Sequence, residues 1–136
     1  MKNKPCKWGF KYWAVADSSG YTVDFDLYAG KTVEKSLHGL AFDVVLCLCR
    51  PFTYQGYQLF VDNFYTGVHL FKELLKVGIV ATGILRVSRK EIPDSVVQMK
   101  TALERRDIPR GVGYCIREHE AVHVCWETTL GNRSQK

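Results

Sequence analysis

The acid in the most telling setting is Asp62, which follows the apolar run Leu59-Phe60-Val61. Such a short continuous run suits a strand buried on both faces. A carboxylate directly after it has two readings: a turn or helix-cap acid, or a group placed at the carboxyl end of a strand to do chemistry. A second constellation is Cys115, His119, His123 and Cys125, spaced C-x3-H-x3-H-x-C. These side chains are competent zinc ligands, but their spacing matches no strong finger pattern. A third is cationic: Arg86, Arg89, Lys90, Arg105, Arg106 and Arg110 crowd the second half of the chain. They could hold phosphates through sequence-independent, salt-sensitive contacts, or simply form a solvated helix face. His38 and His69 stand at helix starts, where capping or surface roles are ordinary. No Gly-rich phosphate loop, nucleophile elbow or Cys-His catalytic pattern occurs.

The chain that carries these groups has 136 residues, 46% hydrophobic and 24% charged, with a formal net charge of +5. That length suits a single modest domain, and the apolar content excludes a disordered polar tail. No apolar run approaches the ~20 residues that cross a bilayer, and no signal-peptide core follows the basic start. Five cysteines cannot all pair within one chain. Reduced thiols in the nucleus or cytosol are expected, with Cys47 and Cys49 packed as small hydrophobes. Charge is uneven: Arg86 to Arg117 holds eight basic residues against four acids, while the acidic part runs from about Asp17 to Asp62. A basic flank beside an acidic centre suits a protein that grips a polyanion and works on it with metal.

The elements that would position these groups follow from periodicity. Residues 10–16 are rich in strand formers, Asp17-Ser18-Ser19-Gly20 is turn chemistry, and Tyr21, Val23, Phe25 and Leu27 alternate with polar residues. Together they predict an antiparallel hairpin whose second strand is half-buried. Asp24 and Asp26 share its other face and should look to solvent. Leu40, Val44, Leu48 and Ala41, Val45 predict a helix over 37–49, stopped by Pro51. A strand over 59–61 then leads to a helix with Thr66 as its cap, an apolar stripe of Val68, Phe71, Leu75 and Leu70, Leu74, and Gly78 closing it. A strand over 79–85 follows. Beyond a polar connector, Asp94 should cap a helix reaching about 106, with Val96, Met99 and Leu103 inward. Residues 114–116 and 121–124 predict a second hairpin. The order is β-β-α-β-α-β and then a basic α-β-β appendage.

Three segments in this order resemble the piggyBac family of DNA transposases and its domesticated relatives. The first is Lys4-Pro5-Cys6-Lys7-Trp8-Gly9-Phe10-Lys11, with Asp17-Ser18-Ser19-Gly20-Tyr21 and Tyr28-Ala29-Gly30-Lys31. It is similar to the family's K-P-x-(K/R)-(W/F)-G-x-K, D-S-x-G-Y and Y-x-G-K. The second, Asp62-Asn63-Phe64-Tyr65-Thr66, resembles D-N-(F/W)-(Y/F)-T. The third, Gly83-Ile84-Leu85-Arg86 with Arg89-Lys90 and Ile92-Pro93, resembles G-T-x-R-x-x-R-x-x-x-P. Together they cover most of residues 4–93.

The resemblance implies an α/β fold: an incomplete RNase H-like mixed sheet with flanking helices over 1–86, then the start of a basic insertion over 87–136. It implies a nuclear protein (a cytoplasmic one is the alternative) acting on DNA that carries TTAA. The family's chemistry uses three aspartates holding two magnesium ions, which stabilise the entering and leaving oxygens of an in-line displacement. Asp62 corresponds to the second aspartate. The first belongs on a strand before Lys4 and the third in a block beyond Lys136, so only a vestigial, incomplete magnesium site is expected. The family's cysteine-rich zinc domain is also not expected here, and the tail after Trp126 departs from the family pattern. A fragment without catalysis is therefore expected, with residual backbone contacts to DNA through the six basic residues above. The alternatives are an active magnesium-dependent transposase once missing segments are supplied, or a module that binds another chain, or a second copy, at an open sheet edge. The absent first strand would be central in the sheet, leaving two unpaired edges and neighbours missing beside Phe25, Phe60 and Val61.

Overall fold

A computed structural model describes residues 9–28, 30, 37–86, 88, 92–104 and 113–126. It opens with the expected hairpin, β1 (Tyr12–Ala16) against β2 (Thr22–Leu27), antiparallel with an irregularity between Val15 and Ala16. Asp17 builds the turn. Its Oδ1 accepts hydrogen bonds from the Ser19 and Tyr21 N–H groups at 2.9 and 3.0 Å and from the Ser19 hydroxyl at 2.6 Å. These donors favour the ionised form and hold the Asp17 carboxyl below the usual aspartate range.

The hairpin faces the opposite way from the expectation. Trp13 lies opposite Asp26 and Val15 opposite Asp24, and this is the face that α1 (Leu40–Cys49) covers. Trp13 is buried against Val44 and Leu48 and Asp24 is half-buried, while Asp26 is exposed as expected. The apolar side chains Val23, Phe25 and Leu27 are exposed instead. Alternation fixes which residues share a face, but which face is covered depends on where the next element docks.

Helix α1 ends where Pro51 removes a donor, and Arg50–Phe52 continues as a short 3-10 turn. One side of α1 meets Trp13; Val45 and Cys49 on the other join Leu70, Leu74 and Ile79 in the main core. That core is a β-α-β unit. Strand β3 (Gln58–Val61) pairs in parallel with β4 (Val80–Gly83), and α2 (Val68–Lys76) connects them. Gly78, at φ 78°, turns the chain out of α2. Its N–H donates to the Leu75 carbonyl and that of Ile79 to the Leu74 carbonyl, the paired closure that glycine permits at a helix end. Leu59 and Val61 pack inward, but Phe60 is 73% exposed, so β3 is covered on one face rather than two.

Helix α3 (Asp94–Glu104) packs against a second hairpin, β5 (Gly113–Glu118) with β6 (Ala121–Trp126). Val96 and Met99 are buried as expected. The Pro93 carbonyl accepts from Val96 and Val97, so Asp94 is a first-turn acid rather than the cap. The side chain of Leu103 lies outside the described residues. Among the described residues the strands form three separate pairs: β1 with β2, β3 with β4, β5 with β6. The fold is a mixed α/β one.

Candidate functional site

Strand β3 delivers Asp62 into a tight turn whose bonds are mostly its own backbone. The Asp62 carbonyl accepts the N–H groups of Tyr65 and Thr66 at 3.0 and 3.1 Å and the Thr66 hydroxyl at 3.0 Å. The Asp62 carboxylate is exposed and accepts the Asn63 N–H at 2.6 Å. Its negative charge, after burial, is the second cause that pushes the Tyr65 phenol above its ordinary range. Thr66 does not cap α2. Gly67 holds that position, and the Thr66 side chain turns back into the core, where it is 2% exposed.

That inward threonine meets Gly83, which pairs with Val61 across the parallel strands. A Cβ on Gly83 would overlap Thr66 Oγ1 and stand 2.8 Å from Val61 Cγ2 and 2.9 Å from the Val61 carbonyl. Glycine is what lets the turn after β3 close over the end of β4. Three residues beyond Gly83, Arg86 Nη2 donates to Asn63 Oδ1 at 2.6 Å. A fixed guanidinium therefore stands one residue from Asp62. Asn63 was not singled out by its type; the signal was its place between Asp62 and the rest of the motif.

Of the six candidate DNA-contacting residues, Arg86 is described, while Arg89, Lys90, Arg105, Arg106 and Arg110 lie outside the described residues. Asp62 is a single carboxylate, and among the described residues no group of three or more His, Cys, Asp or Glu comes together to hold a metal. The residues gathered around Asp62 do not by themselves fit a magnesium pair, which needs several hard oxygen ligands. The cysteine–histidine constellation is also split. Cys115 faces Val124 while His123 faces Ile116, placing them on opposite faces of the second hairpin. Cys47 is exposed, a correction to its expected core role, whereas burial of Cys49 pushes its thiol up and keeps it protonated. The His38 and His69 rings meet at 4.5 Å with their planes tilted by 46°, and Phe42 lies nearly parallel to His69 at 5.3 Å. Among the described residues no helix is long and apolar enough to cross a membrane.

The family described as Transposase IS4 matches residues 1–131. PiggyBac transposable element-derived protein 2 of Homo sapiens is 30% identical over 130 residues, which is 91% of this chain and 21% of that protein. PiggyBac transposable element-derived protein 3 of Homo sapiens is 29% identical over 112 residues, 79% of this chain and 18% of that protein. The chain thus spans about a fifth of the length of these curated relatives. The structure is also similar to a piggyBac transposase solved by cryo-EM as a synaptic complex with hairpin DNA. There the TM-score is 0.79 at 23% identity, covering 95% of this chain and 26% of that one. This protein belongs to the Transposase IS4 family, in its piggyBac-type branch.

Proposed function

We propose that the chain is a part of a piggyBac-type transposase core that contacts DNA phosphates but does not cut or join DNA unaided. The observation that carries this reading is the hydrogen bond from Arg86 to Asn63, which fixes a cation beside the Asp62 turn. Arginine in that position suits a phosphate, because its guanidinium carries further N–H donors beyond the one that bonds Asn63. Arg89, Lys90, Arg105, Arg106 and Arg110 extend the same charge along the chain. The solved neighbour is itself a transposase bound to hairpin DNA, which supports DNA as the partner class.

On this reading, β1 to β4 are the two sides of an RNase H-like sheet whose middle strand is supplied from elsewhere in a longer protein, and work in the nucleus follows from the substrate. Asp62 is the second of three metal-holding aspartates. Displacement at a phosphodiester with two metals needs carboxylates that converge on both ions, and one cannot do so. The test is filter binding of a duplex at increasing salt. A linear fall of log affinity with log salt, shallower when Arg86 is replaced by Gln, supports the reading; an affinity indifferent to salt contradicts it. A second reading rests on the exposure of Asp62 at the carboxyl end of β3. It holds that the chain is a working nuclease part once the missing segments are joined to it. Magnesium-dependent cleavage of a TTAA duplex only by the joined protein, lost in Asp62→Ala, would favour it.

A further inference from the structure

The face of the first hairpin that α1 covers ends in an exposed cation, Lys11, which is not among the six residues proposed for DNA contact. Alternation along the strand puts Lys11 and Trp13 on one face. The Tyr28 N–H donates to the Lys11 carbonyl at 2.9 Å, extending the ladder by one pair and setting Tyr28 opposite Lys11 on that face. The Trp13 and Tyr28 rings meet edge to face, 5.4 Å apart and 86° to one another. Phe64 arrives from the turn after β3. The Lys11 ammonium lies 5.2 Å from the centroids of both Trp13 and Tyr28 and 6.0 Å from that of Phe64. All three distances fall within the reach of about 6 Å over which an aromatic ring attracts a cation.

We propose that Trp13, Tyr28 and Phe64 form an aromatic cage for methylated ammonium groups, such as methyllysine in a peptide, and that Lys11 is its built-in competitor. The deep wall is prepared in advance: Trp13 is 5% exposed, fixed by Val44, Leu48 and Tyr65. Tyr28 and Phe64 are exposed and make the rim. The faces of the three rings offer a bare ammonium no lone pair to replace the water it loses on entry. A methylated ammonium has fewer N–H groups to satisfy, keeps its charge and fills the space with apolar surface, so the cage favours it. Asp26, exposed and opposite Trp13 on the same face, adds a carboxylate to that side of the hairpin. Because Lys11 occupies the cage, an outside ligand binds only in the fraction of molecules where the lysine has swung out.

The test uses the whole chain and tetramethylammonium chloride as the probe, with sodium chloride at equal ionic strength as the control. The Trp13 indole resonance is followed by NMR. In Lys11→Gln the probe should give a saturable shift with an apparent Kd at least about tenfold below that of the unaltered chain, since the competitor is gone. Adding Tyr28→Leu and Phe64→Leu to Lys11→Gln should abolish it. Equal affinity with and without Lys11, no saturation in Lys11→Gln, or binding that survives loss of both rim rings would overturn the proposal. A measurement on the unaltered fold stands beside it. After reductive 13C-methylation, the Lys11 dimethylammonium signal, identified by its loss in Lys11→Arg, should be shifted upfield of the other lysines by ring currents. A Lys11 signal coincident with the others would overturn the cage. Neither result bears on DNA binding.

Discussion

Thr66 Oγ1 occupies the space that any side chain on Gly83 would need. The two residues belong to different motif segments, one following β3 and one ending β4, and they meet where the parallel pairing of those strands ends. Arg86 and Asn63 repeat the same connection three residues further along β4's exit.

Gly83→Ala should therefore destabilise the protein by about 1–3 kcal/mol, the usual cost of forcing atoms into a filled site. Urea unfolding measures it. Ile84→Ala, at an exposed neighbouring position, should cost under about 0.5 kcal/mol. Equal midpoints for the two variants would contradict the contact.

Thr66→Val keeps the shape and removes the hydroxyl that donates to the Asp62 carbonyl. A loss of about 1 kcal/mol is expected, the net worth of an ordinary hydrogen bond. If Thr66 merely capped α2 from an exposed position, Thr66→Ser would be neutral; with the side chain buried, the cavity it leaves should be felt.

Arg86→Gln should weaken DNA binding by a similar factor for all duplex sequences and reduce the slope of log affinity against log salt by about 1. Asn63→Ala keeps the charge and should leave that slope unchanged. A slope equal in all three proteins would remove Arg86 from the phosphate contacts.

Phe25 and Phe60 are 57% and 73% exposed. Phe25→Thr and Phe60→Thr should shift stability by less than about 0.5 kcal/mol while lowering aggregation and binding of an apolar dye. A loss of several kcal/mol would mean that both side chains are covered.

What the sequence made legible was local. The Asp17 turn, the stop at Pro51 and the Gly78 closure depend on residues within a few positions of each other, and each lies where its chemistry puts it. The site was legible only through the motif: Asp62 stood out by its place after an apolar strand, but Thr66 read as a helix cap because its burial depends on Gly83, seventeen positions away. The direction of the first hairpin was hidden for the same reason. Val23, Phe25 and Leu27 look like a buried stripe, and only the docking of α1 on Trp13 decides otherwise.

The lowered Asp17 carboxyl sets a pH dependence. The folded group gives up its proton more readily than the unfolded one, whose ordinary value is 3.8. Its contribution is present above that value and lost as pH falls through the lower folded value. The stability difference between the unaltered chain and Asp17→Ala should be constant near neutrality and shrink as the solution is taken below that range. A difference that grows on acidification would contradict the turn's hydrogen bonds.

On the proposed function, Asp62 has no cluster of carboxylate partners for a metal among the described residues and cannot hold a magnesium pair unaided. The most direct test of this is incubation of the purified chain with an end-labelled TTAA duplex, with and without magnesium, alongside Asp62→Ala. The account predicts binding but no cleaved or joined products in any lane. Magnesium-dependent products from this chain alone that disappear in Asp62→Ala would contradict it.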